Sequence, residues 1–520
     1  MNFKELLLIA GFALCTLWTI EYFVGGKKTD TQEQGGPVAG QSFIAPTTHQ
    51  ELKPVNTEVG FIDTKRPAAA TLTEVETEHA QLLFSTDGAS LERLRFKRQL
   101  GDAQSTLVTI FPPTDTEREN RCFLVGLAEK TPYYYTLVDR VNRGDATDVI
   151  YEAETHDAVI RKTFTVYKTT YKLDMTLTVR PKHGNPVEAR IFYPAPLMPD
   201  IVDRDLVSAV ASDERGSIVK ITRAKLDAHR GWFLPTLFGA DNRYFVHAMV
   251  EDPDKFAQRA YFRLAGQPDL FSVLEGPAVH EERTWRLSFY FGPKESAAMS
   301  AVDKRLEQTF DYAGWLAPIS KLLLAILVFL YGYLGNYGFA IIALTILVRL
   351  ALLPFSLQSA RSMSQGMKKN AEMQRKLQYI QQKYKDNPEQ LAREREELIR
   401  KHGLPGLGGC LPMLLQLPVF FALSPMISHS IELYRAPFIL WITDLSARDP
   451  YYILPAIVGG SMLLQSFKTV DHKQRLQMVM LALILGAFSS YWSAGLCLYL
   501  IVSTLLGVVQ TMIQKRFDWA

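Results

Sequence analysis

Residues 336–355 read NYGFAIIALTILVRLALLPF. This apolar run is close to the roughly 20 residues that a helix needs to cross a bilayer. It nevertheless carries Arg349, six residues before Phe355, or about 9 Å of helix rise from the end of the run. An arginine at the centre of a membrane helix costs on the order of 2.5 to 3.5 kcal/mol on insertion scales, so a sequence that keeps one gives it water, a partner or a task. Thr345 lies one turn earlier on the same face.

Moving toward the C-terminus, residues 356–410 become strongly charged, with eleven Lys or Arg including Lys368, Lys369, Arg375 and Lys376. Asn387-Pro388-Glu389-Gln390 reads as a helix start within this segment, with a cap, a proline at the first helical position and a closing glutamine. The pattern predicts an antiparallel helical hairpin. Apolar spans follow at 411–433, 452–467, 476–489 and 494–513, the last two separated by Ser489-Ser490-Tyr491-Trp492-Ser493. On the other side of the opening run, 315–334 contains Pro318 and Lys321 and ends in Tyr331-Gly332-Tyr333-Leu334, which suits an interfacial amphipathic helix.

Charge sets the orientation, because Lys and Arg collect in cytoplasmic loops. The 356–410 hairpin is rich in them, the 468–475 loop has Lys468, Lys473 and Arg475, and the 514–520 tail has Lys515 and Arg516. The 434–451 loop has only Arg435 and Arg448, and the 489–493 turn has no charge. These regions alternate as cytoplasmic and exported. Residues before 336 are therefore exported if 315–334 does not cross.

The N-terminus begins MNFKELLLIAGFALCTLWTIEYFV and predicts an uncleaved signal anchor over 1–24. Residues 25–56 are rich in Gly, Gln, Thr and Pro and read as a flexible linker. From 57 to 310 short β-branched and aromatic runs dominate: 163–168, 172–179, 260–264 and 285–291, divided by turn residues at Asp87-Gly88, His183-Gly184-Asn185 and Gly292-Pro293. Strands without intervening helices imply an antiparallel sandwich. The expected architecture is a polytopic α-helical membrane core of five spans plus the anchor, a large exported all-β domain and a cytoplasmic helical hairpin.

Several function classes fall away. Basic and acidic residues nearly balance, at 57 against 54, which argues against a nucleic-acid binder. The cysteines are far apart, at 15, 122, 410 and 497, with only Cys122 in the soluble body, so no disulfide forms within it. No metal-binding spacing or P-loop is present, and the scattered histidines form no catalytic set. No cofactor is called for, and the chain reads as something other than an enzyme.

GLGGCLPMLLQLPVFFAL (406–423), APFILWITDLSARDPYYILP (436–455), LVRLALLPF (347–355) and SAGLCLYLIVS (493–503) closely resemble signatures of the YidC membrane protein insertases, in the wider YidC/Oxa/Alb family. The large exported domain resembles that of Gram-negative members. The resemblance implies an inner-membrane insertase and chaperone that inserts, folds and helps assemble membrane proteins. Its partners would be nascent membrane proteins, the Sec translocon (SecYEG, SecDF), membrane lipids and the ribosome or signal-recognition pathway. It also implies a hydrophilic groove open to cytoplasm and lipid, with the family arginine falling on Arg349 and substrate contact on Tyr499. Thr345, Gln416, Gln465 and Ser503 are further polar residues in the spans that could share that groove. Where relatives often carry a second aromatic beside Tyr499, this chain has Leu500. The competing reading is a secondary transporter with Arg349 binding a small anion. Transporters usually show internal repeats, and this core shows none.

Overall fold

The computed structural model describes residues 70–100, 103–109, 121–127, 134–197, 207–212, 216–227, 230–264, 270–310, 316–356, 376, 379–385, 388–402, 411–466 and 472–516. The expected anchor, the linker, Cys15, Cys410 and three hairpin residues (Lys368, Lys369 and Arg375) lie outside these.

The β body consists of three antiparallel sheets. The largest has nine strands in the order Ile218–Thr222, Ser208–Ser212, Phe238–Asp241, Phe245–Glu251, Arg283–Pro293, Lys172–Pro181, Ala158–Tyr167, Ala146–Glu154 and Thr136–Asn142. A five-stranded sheet pairs Gly231–Phe233, Arg259–Leu264, Leu270–Val279, Val187–Pro194 and Leu124–Leu127. A four-stranded meander runs from Leu72–Glu76 to Ala103–Thr109. Period-two patterning drives the pairing. Ile160, Phe164 and Val166 point inward from one strand, and Leu173, Met175 and Val179 from the next, with Phe164 opposite Met175 and Ile160 opposite Val179. The four strands anticipated from sequence are all present.

Two details depart from that simple pattern. Gly292-Pro293 is no turn but the end of the strand Arg283–Pro293, paired with Val246 and Phe245. A side chain at 292 would meet the rings of Tyr171 and Tyr290 at 2.8–2.9 Å, so the glycine serves packing there. Lys162 occupies an inward position of its strand and is fully buried. Its ammonium donates to the carbonyls of Gly88 (2.6 Å), Phe123 (2.8 Å) and Ala89 (3.3 Å). Ala89 and Phe123 both adopt positive φ, at 41° and 65°. The lysine thus ties down two strained turns. Burial pushes its pKa well below the usual lysine range.

The helical part begins with α1 (Ser296–Val302) and a 3-10 turn (Lys304–Thr309). Then follow α2 (Ala317–Leu334), α3 (Tyr337–Ala351), α4 (Pro388–His402), α5 (Leu411–His429), α6 (Ile453–Ser466), α7 (His472–Phe488) and α8 (Ala494–Arg516). Gly335, at φ 63°, ends α2 by donating to the Tyr331 carbonyl at 2.8 Å. Asn336 then caps α3, its Oδ1 accepting from the amides of Gly338 (2.8 Å) and Phe339 (3.3 Å). The rings of Tyr331 and Tyr337 stack at 3.9 Å across this two-residue link. Among the described residues, Ala317–Leu334 and Ala494–Ile513 are long and apolar enough to cross a membrane; Tyr337–Ala351, Val419–His429, Ile453–Leu464 and Met478–Tyr491 are shorter apolar helices.

Candidate functional site

Helices α3 and α8 lie side by side in parallel with a constant register of 154 residues. At their N-terminal ends, Gly495 faces Ile341: a Cβ on the glycine would stand 3.2 Å from the isoleucine Cδ1. Arg349 meets Ser503 two turns on, and Ser356 meets Gln510 beyond that. Small or polar side chains therefore mark the seam between helices whose outer faces are apolar, the pattern by which membrane helices pack closely and hydrogen-bond.

Arg349 is half-buried on this seam. Its Nε donates to Ser503 Oγ at 3.0 Å and its Nη2 donates to the Ser503 carbonyl at 2.8 Å. Ser503 itself is 2% exposed. Among the described residues no carboxylate pairs with Arg349. Its charge is solvated by a neutral hydroxyl and a carbonyl and is not cancelled. That leaves positive potential where the surrounding dielectric is low and the field of a single charge is strong.

The other sequence candidates separate. Tyr499, one turn before Ser503, is buried. Thr345 is buried at 1% exposure, and its hydroxyl donates to the Ile341 carbonyl of its own helix. Gln510, further along the seam, donates to Ser356 Oγ at 2.9 Å. Gln416 and Gln465 belong to α5 and α6, but their side chains lie outside the description. Lys376 is helical and exposed.

The end of the helices near Asn336 is closed by the segment 430–452. Buried Asp449 organises it. One carboxylate oxygen accepts from Trp441 Nε1 (3.2 Å) and the Tyr451 amide (3.0 Å), the other from the Leu454 amide in the first turn of α6 (2.7 Å). The β body docks on this segment and on the last turn of α5 just before it. Arg243 donates to the Ser428 carbonyl at 2.5 Å, and Tyr244 donates to Ser446 Oγ at 3.0 Å and packs its ring, tilted, against Tyr434 with centroids 4.6 Å apart. Sequence reading missed Arg243, Tyr244 and Asp449. An Asp-Pro pair before an apolar helix was the available signal for Asp449; nothing local marked the other two.

Residues 72–326 match the family described as the YidC periplasmic domain, and residues 329–518 match the family described as 60Kd inner membrane protein. A Bordetella pertussis protein named membrane protein insertase YidC is 30% identical over 463 residues, covering 84% of this chain and 81% of its own length. The chain belongs to the YidC family. A YidC relative from Geobacter metallireducens is 30% identical over 477 residues, covering 85% of this chain and 86% of that one. The solved structure of an active YidC insertase with its first transmembrane domain resolved is similar at a TM-score of 0.37 and 18% identity, over 88% of this chain and 95% of that one. The YidC family comprises bacterial inner-membrane proteins with a periplasmic domain, and the all-β body corresponds to that domain.

Proposed function

We propose that this chain is a membrane protein insertase and chaperone of the bacterial inner membrane, acting on nascent membrane proteins alone or with the Sec translocon. The observation that carries the reading is Arg349, a cation held between α3 and α8 by neutral acceptors. Such a charge attracts the polar or acidic head of an incoming segment. The apolar remainder then partitions into lipid, at roughly 25 cal/mol per Å² of apolar surface removed from water, and this drives release. No nucleotide enters the scheme.

In the proposed topology both termini are cytoplasmic, residues 57–310 are periplasmic, and α3, α5, α6, α7 and α8 are the five spans beyond the anchor. The 356–410 hairpin and the 468–475 loop are cytoplasmic, available to the ribosome or signal-recognition pathway, and 434–451 is periplasmic. The parallel register of α3 and α8 supports this, since the first and fifth of five successive spans must run in the same direction. Helix α2 is taken as interfacial. Lys321 in its first turns pairs with Glu307 of the 3-10 turn that follows the β body and α1, and its far end passes directly into α3 beside the 430–452 segment. Both of its ends thus belong to one side. Arg349, near the end of α3, then lies toward the cytoplasm, where a groove formed with Gln416, Gln465, Tyr499 and Ser503 would receive substrate.

The test is complementation in cells depleted of their own insertase. This chain restores insertion of dependent single-span and multi-span proteins, and Arg349→Glu restores less. Unimpaired insertion of every tested substrate in the depleted cells would remove the function from this chain.

A further inference from the structure

A guanidinium has two bidentate faces, a side edge formed by Nε and Nη2 and an end edge formed by Nη1 and Nη2. In this structure one residue occupies the side edge: Ser503 accepts from Nε with its hydroxyl and from Nη2 with its carbonyl. Among the described residues Nη1 makes no hydrogen bond. Gly507 lies one turn beyond Ser503, and a Cβ there would stand 3.7 Å from Nη2. An alanine is tolerated at that distance, whereas the γ-methyl groups of a β-branched side chain such as valine would reach into the guanidinium's place. The missing side chain leaves the Ser503 carbonyl open to Arg349.

We infer that Ser503, with room provided by Gly507, is the positioning residue that aims Arg349. It holds the side edge with two neutral acceptors and presents the end edge to a carboxylate of the incoming segment. This rests on the insertase reading above, in which Arg349 already attracts an acidic head, and adds to it the residue that orients the guanidinium. Neutral acceptors leave the charge intact, so substrate meets a full cation. A fixed, planar fork donates in parallel to both oxygens of an aspartate or glutamate, which a lone hydroxyl or amide oxygen cannot match. Selectivity for acidic heads then comes from orientation as well as from charge. Lys at 349 would keep the charge and lose the fork.

The experiment uses the full chain in membranes, with a photo-crosslinker at exposed Ile346, one turn from Arg349. Two ribosome-bound substrates are compared, identical single-span segments with either one Asp or one Asn in the head. The unaltered chain should crosslink the Asp substrate with roughly tenfold preference, the scale of one charge-assisted bidentate contact. Ser503→Ala should lower that ratio to about one to three, and Ser503→Thr, which keeps the hydroxyl, should restore it. Gly507→Val should act like Ser503→Ala and serves as the second variant if that one does not accumulate. Arg349→Lys should also lose the preference. A full preference in both Ser503→Ala and Gly507→Val overturns the assignment, as does equal crosslinking of Asp and Asn by the unaltered chain. Absence of any crosslink to either substrate would instead count against the insertase reading itself.

Discussion

Tyr244 is the point at which the β body grips the helical part, and its removal should loosen the 430–452 segment that closes the Asn336 end of the helices. The side chain is 2% exposed. Its ring packs tilted against Tyr434 with centroids 4.6 Å apart and carries the Arg243 guanidinium at 5.3 Å, and its hydroxyl donates to Ser446 Oγ at 3.0 Å. Two substitutions separate these contributions. Tyr244→Phe deletes only the hydroxyl, and Ser446 Oγ keeps its own acceptor in Asp444 at 2.7 Å. No buried donor is stranded, so the cost is about 1 kcal/mol. Tyr244→Ala also removes the ring, and truncation of a buried aromatic costs about 3 to 5 kcal/mol. Hydrogen exchange on the full chain in nanodiscs reads the effect locally. The relevant amides are Leu445, bonded to Ala436, and Gly495, bonded to Leu445. Tyr244→Ala should cut their protection by about two orders of magnitude or more and Tyr244→Phe by less than about tenfold. Unchanged protection at Leu445 and Gly495 in Tyr244→Ala would refute the claim that the β body braces this segment.

Three further outcomes follow from the same contacts. His247 is fully buried against Phe291, and burial pulls its pKa down to about 3 from 6.5. Below pH 6.5 the unfolded imidazole takes a proton that the folded one refuses, so stability is lost as pH falls, by at most about 1.36 kcal/mol per unit and about 2 kcal/mol by pH 5. Urea melts at pH 7 and pH 5 should show this loss, and His247→Gln should reduce it. Lys321, Ser300 and Ser296 hold the Glu307 carboxyl down at about 2. The stability it adds is present above the ordinary value of 4.5 and disappears as pH falls toward 2; because the pair is partly exposed, Glu307→Gln should cost less than about 1 kcal/mol in the same melts at pH 7. Asn336→Ala removes the cap of α3 and should cost about 1 kcal/mol, seen as faster exchange of the Gly338 and Phe339 amides.

Much of the architecture was legible because it rests on periodicity. The alternation of Ile160, Phe164 and Val166 against Leu173, Met175 and Val179 is a local signal that any antiparallel pairing reproduces. Arg349 stood out because its cost in an apolar run is a one-residue fact. Gly292-Pro293 misled because a glycine that makes room for Tyr171 has the same letter as one that turns the chain. Lys162 was invisible for a related reason. A lysine at an inward position looks like an interruption until three carbonyls, all from residues far away in sequence, converge on it. The site followed the same division. Sequence identified polar residues on separate helices, but the pairing of Arg349 with Ser503 depends on a register between helices 154 residues apart, which no local pattern encodes. Thr345 shared a helical face with Arg349 in sequence, yet its hydroxyl bonds back to its own helix.

The most direct measurement is insertion by the purified full chain in liposomes, with a single-span substrate bearing an acidic head. Protease added outside the vesicles reports whether the head has crossed. Vesicles with this chain should yield a protected head fragment well above empty vesicles, and Arg349→Glu vesicles should fall close to the empty level while the protein remains folded. A protected fraction no greater than in empty vesicles would contradict the insertase reading, and full protection with Arg349→Glu would contradict the role given to that charge.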